Sequence, residues 1–152
     1  MPTATFAPPD TDHLRENAPG LPDDVHSQRL AMLADYLESS GRHNQFAYVK
    51  GIPSAFSGER AGYLYANPRV LACAAGMAVL MFAHPDTELT AAGGVTFRQG
   101  QVIGTDRKAA YLLGITHECG FFLFAGCAPP DGVVAALRRL SRGENAGVYW
   151  AE

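Results

Sequence analysis

Three cysteines and five histidines are the residues of this chain most able to do chemistry. A cysteine nucleophile needs a base within hydrogen-bond reach, and Cys73, near the start of an apolar stretch, has His26, His43, His84 and His117 as candidates. A metal site needs three or four donors, and His117, Cys119 and Cys127, with His84, contain enough for zinc. Neither set has the spacing that fixes two groups on one rigid element. The chain has no Cys-x-x-Cys or His-x-x-x-His pair, and Cys73 stands among alanines, where a free thiol behaves as a small hydrophobe. His117-Glu118-Cys119 reads equally as the first turn of a helix, with the Glu118 carboxylate at the positive end of the dipole.

Other constellations are weaker. Asp106, Arg107 and Lys108 fit a capped and solvated helix start, and Arg138, Arg139 and Arg142 form the local basic cluster. With only 12 Lys and Arg against 15 Asp and Glu, that cluster fits a solvated face or a protein contact better than a phosphate backbone. Gly93, Gly94, Gly100 and Gly104 surround a short β segment and do not join a strand to a long helix, as a dinucleotide fingerprint requires. No Gly-x-Ser-x-Gly elbow occurs.

The elements that would position these residues centre on Asn67–Pro85. Asn67 can cap, Pro68 suits the first helical position, and Pro85 stops the run, so one helix of about four turns is predicted. It is apolar on every side and therefore buried, and too short for a bilayer, which needs roughly 20 apolar residues. Residues 1–26, rich in proline with scarcely any apolar periodicity, read as a flexible arm, and 27–152 as a single globular domain. Leu30, Leu33, Ala34 and Leu37 predict a helix over 27–39 closed by Gly41. Residues 44–49 read as a short strand or connector. Residues 51–66 read as a loop anchored by Phe56, Tyr63, Leu64 and Tyr65, whose aromatics make it a contact surface. Val95–Ile103 reads as a hairpin turning at Gln99-Gly100. Thr105 caps a helix closing at Gly114, and Thr116 a second one carrying Phe121–Phe124. Pro129-Pro130-Asp131 opens a last helix ending at Gly143, with Tyr149 and Trp150 docking the tail. The fold class expected is α+β: a mainly helical single domain of about five helices with a small β-hairpin or short antiparallel sheet.

The order Ala72-Cys73-Ala74-Ala75-Gly76-Met77-Ala78-Val79, then Ala110-Tyr111-Leu112-Leu113-Gly114-Ile115-Thr116, then Leu123-Phe124, resembles a group of small uncharacterised bacterial and phage proteins. These share an Ala-Cys-x-Ala-Gly-x-Ala helix and a Leu-Leu-Gly-Leu-Thr helix turn. The likeness covers roughly the last 85 residues. It departs at Met77, where many members carry an aromatic, and at Pro68 or Arg69, where they carry a second cysteine. The resemblance implies a fold and a bacterial or mobile-element origin. It implies no reaction.

Net charge −3, pI near 5.9 and an odd cysteine count describe a cytoplasmic protein with reduced thiols, no membrane attachment and no general affinity for nucleic acid. The function expected is that of an intracellular non-enzymatic protein binding another protein, as a phage or mobile-element regulator or inhibitor of a host or defence system. Phe56, Tyr63, Tyr65, Arg138, Arg139 and Arg142 form the contact surface, without metal or cofactor. The alternative is a thiol- or metal-dependent enzyme using Cys73 or the His117, Cys119 and Cys127 group.

Overall fold

The computed structural model describes residues 8–43, 59–67, 69–89, 94–96, 102–116, 123–124 and 129–144. Helices dominate it. In chain order come a 3-10 turn at Asp12–Leu14, α1 (Val25–Ser40), β1 (Glu59–Arg60), α2 (Ala61–Ala66), α3 (Ala74–Phe82), β2 (Glu88–Leu89), β3 (Gly94–Thr96), β4 (Val102–Gly104), α4 (Thr105–Leu113) and α5 (Pro130–Ser141). The short strands pair antiparallel in the order β1-β2-β3-β4, with Glu59 opposite Leu89, Leu89 opposite Val95 and Val95 opposite Ile103. The Gln99-Gly100 turn, residues 44–49, the helix expected after Thr116 and the Tyr149-Trp150 tail lie outside the described residues.

α1 buries Leu30, Leu33, Ala34 and Leu37, one stripe of a 3.6-residue period, and ends at Gly41 with φ 71°. Its main partner is α5, which buries Val133, Val134, Ala136 and Leu137. α3 packs on α4, α2 and α1, and all nine of its residues are buried. A helix without a polar face is stable only when enclosed in this way.

The central helix is shorter than the sequence predicts. It begins at Ala74, because the backbone before it is engaged elsewhere: the Ala72 N–H donates to Arg42 O at 2.9 Å, and Val70 O accepts from Arg42 Nε at 2.9 Å. Cys73 is thus the N-cap and not a second-turn residue, its Sγ accepting from the Gly76 N–H at 3.5 Å. At the other end Ala83 turns extended (ψ 160°) two residues before Pro85, and its carbonyl accepts from Arg15 Nη1 at 2.7 Å.

Three further expectations are corrected. The proline-rich arm is packed from Thr11 to Arg15: Thr11, Leu14 and Arg15 are buried, and the Glu16 N–H donates to Phe82 O at 2.7 Å. One leucine flanked by charge has no periodicity to show, but it finds a slot in the core. The end of the 51–66 loop is helix α2, six residues long, where Gly62 is required because a Cβ there would stand 2.9 Å from the Pro85 Cβ. Finally, Gly104 and not Thr105 is the N-cap of α4, and Thr105 is its buried first residue.

Candidate functional site

A six-residue helix is too short to hold itself, and of its last carbonyls Leu64 O keeps a backbone donor, the Asn67 N–H at 3.2 Å. Arg42, buried at the foot of α2, supplies further donors. Its Nη2 donates to Leu64 O (3.0 Å) and Asn67 O (2.9 Å), and its Nη1 to Tyr65 O (2.8 Å) and the Tyr36 hydroxyl (2.6 Å). With Nε on Val70 O, all five guanidinium N–H groups are used, and the plane lies 5.6 and 5.8 Å from the Tyr36 and Tyr65 ring centres.

The two tyrosines of α2 differ in exposure. Tyr65 is 6% exposed, its hydroxyl donates to Pro9 O at 2.7 Å, and its ring meets Tyr36 edge-on at 5.7 Å. Burial pushes its phenol well above the usual range. The expectation that Tyr65 belongs to a contact surface is therefore corrected: two residues along a helix is about 200° of rotation, so Tyr63 and Tyr65 point oppositely. Tyr63 is 56% exposed. Beside it on β1, Arg60 reaches Asp86 at 3.7 Å. Phe56 lies outside the described residues.

The arginines of α5, Arg138 and Arg139, and its C-cap Arg142 stand apart from one another in role. Arg138 bridges to α1, Nη1 to Asp35 at 2.6 Å and Nη2 to Glu38 at 2.8 Å, and the hydrogen bond to Asp35 holds its pKa above the ordinary value. Arg142 pairs with Glu144 at 2.6 Å, and Arg139 is exposed. Carboxylates thus offset much of the basic cluster.

Cys73 is 2% exposed, and burial raises its pKa against the opposing pull of backbone N–H groups. Low exposure and the net upward shift together disfavour a thiolate nucleophile. Peptide-resolved alkylation of native protein at pH 8 is expected to leave Cys73 unmodified until denaturant is added; rapid native labelling would bring thiol chemistry back. His117, Cys119 and Cys127 lie outside the described residues, among which no cluster of three metal-type ligands occurs.

A cleft of about 420 Å³, open on one side, lies between the Glu16-Asn17 turn, the start of α1 and the end of α4. Glu16, Asn17, His26, Arg29, Tyr111 and Ile115 line it. Arg29 is 4% exposed, with Nε on Leu14 O and Nη1 on Leu112 O, both at 2.8 Å. Burial lowers its pKa, while Glu16 and Tyr111 act in the opposite sense. Glu16 Oε2 is 2.5 Å from the buried Lys108 ammonium, and its Oε1 accepts from the His84 N–H at 3.4 Å. His26 Nδ1 lies 3.2 Å from Leu112 O, an acceptor only, so Nδ1 carries the proton and Nε2 is left over. The signal for this site was present in the sequence as Arg29, a cation four residues before Leu33 on the apolar stripe.

Compared with family models, with curated proteins and with solved structures, the chain matches none.

Proposed function

We propose that this α+β domain is an intracellular non-enzymatic protein that acts by binding another protein, through a surface centred on Tyr63. The observation that carries the reading is a tyrosine 56% exposed on a helix whose end is held by three guanidinium hydrogen bonds. A large side chain with few rotatable bonds on a held backbone loses little freedom on association, and tyrosine is enriched among residues that dominate interfaces. Arg138, Arg139 and Arg142 are kept as basic positions, Arg138 and Arg142 being engaged by carboxylates, and no metal, cofactor, nucleic acid or membrane is part of the reading. No helix of the described residues is long and apolar enough to cross a membrane. The phage and bacterial resemblance suggests one specific form, a mobile-element regulator or inhibitor of a host or defence system.

A photoreactive residue at position 63 tests this in the native cell. One discrete protein adduct is expected from position 63 and not from the exposed Arg107 on α4. Tyr63→Ala should weaken the captured partner at least tenfold, about 1.4 kcal/mol, with an unchanged Tm. An adduct common to both positions, or unaltered affinity in Tyr63→Ala, would remove this surface.

A further inference from the structure

We propose that the cleft between the Glu16-Asn17 turn, α1 and α4 binds a small monocarboxylate built on a flat apolar body. The charges around it do not balance. Glu16 and Lys108 satisfy one another at 2.5 Å, whereas Arg29, more than nine-tenths buried, has no carboxylate at ion-pair distance among the described residues. Its two hydrogen bonds go to main-chain carbonyls of Leu14 and Leu112 and use two of five N–H groups. Three remain, one on Nη1 and two on Nη2, the pair of nitrogens that grips a carboxylate end-on. The Arg29 Cζ also lies 6.0 Å from the Phe82 ring centre, and a buried cation bordering a cleft without a carboxylate in contact gains more from an entering anion than an exposed one, since water screens the attraction less.

The walls select the rest of the ligand. Tyr111, 68% exposed and with the Lys108 ammonium 5.4 Å from its ring centre, lines the cleft together with Ile115, Ala110 and Leu112. His26, hydrogen-bonded at Nδ1, keeps Nε2 for a second polar contact. Glu16, on the same wall, repels a second negative charge. A dianion such as phosphate is therefore disfavoured, and a single carboxylate on a planar group is favoured. The volume of about 420 Å³ falls within the usual span for small-molecule sites, roughly 300–1,000 Å³.

Amide-resolved NMR titration of the full chain with benzoate and indole-3-carboxylate tests the site, with benzamide and inorganic phosphate as controls. Saturable shifts confined to residues 16–17, 26–29 and 110–115 are expected with a carboxylate. Benzamide should bind at least tenfold more weakly and phosphate without saturation. Tyr111→Ala, an exposed position that leaves the core intact, should lose about tenfold, and Arg29→Lys should lose more if it folds. Absence of saturable shifts with both carboxylates, equal binding of benzamide, or undiminished binding in Tyr111→Ala would each overturn the proposal. Tyr63→Ala leaves carboxylate binding unchanged, so failure here and failure of the protein-binding surface are distinguishable.

Discussion

Replacing Arg42 by Met is expected to lower unfolding free energy by about 3–5 kcal/mol, a large part of what a domain this size possesses. Methionine keeps most of the apolar stem and none of the donors. Four carbonyls, of Leu64, Tyr65, Asn67 and Val70, and the Tyr36 hydroxyl then lose their common partner in a place largely closed to water. Leu64 O and Asn67 O keep the Asn67 and Val70 N–H groups, so the cost falls mainly on Tyr65 O, Val70 O and the Tyr36 hydroxyl, each about 1–3 kcal/mol before water enters. Lysine is not expected to rescue the loss, because an ammonium carries three donors on a point and cannot span five acceptors arranged around a plane. Urea unfolding with matched slopes checks the value. A loss under about 1 kcal/mol would mean that α2 is held by packing alone.

Gly114→Ala should destabilise by about 2–3 kcal/mol, for two separable reasons. Gly114 has φ +69°, a left-handed conformation that costs a residue with a Cβ about 1–2 kcal/mol. The added Cβ would also stand 2.5 Å from His26 Cγ, too near the root of the ring for rotation alone to relieve. In a His26→Ala background the second part vanishes, and the glycine substitution should cost only about 1 kcal/mol. Thermal unfolding of the four proteins of the cycle measures the coupling. Additivity would show that the ring moves aside without penalty.

What could be read in the chain beforehand depends on how far apart the interacting residues are. α1 ending at Gly41, α4 ending at Gly114 and α5 opening at Pro130 are written in local terms: apolar spacing, a proline at the first turn, a glycine able to take positive φ. The limits of α2 and α3 are not local. Arg42 takes the carbonyls of residues 64–70, Arg15 takes Ala83 O, and Arg29 takes Leu112 O, across separations of 22 to 83 residues. The ends of α2 and α3 are thus closed by guanidinium groups from elsewhere in the chain, and no window of sequence displays that. The same reason explains the contact surface. Tyr63 was recognisable as an aromatic in a glycine-rich stretch, but the inward turn of Tyr65 follows only once the stretch is known to be helical. Arg29 carried a legible anomaly, charge on a buried stripe; its neighbours Glu16 and Lys108 lie 92 residues apart and could not be joined to it by inspection.

The wholly enclosed α3 has a consequence for how the protein is made. When Phe82 leaves the ribosome, α4 and α5, which end at Leu113 and Ser141, have not yet emerged behind it. At roughly 5–20 residues per second, the most apolar segment of the chain spends seconds without its later-made neighbours. During that interval it is a sticky nascent stretch, and yield in the cell should depend on translation speed and on chaperone supply more than the stability of the finished domain would suggest.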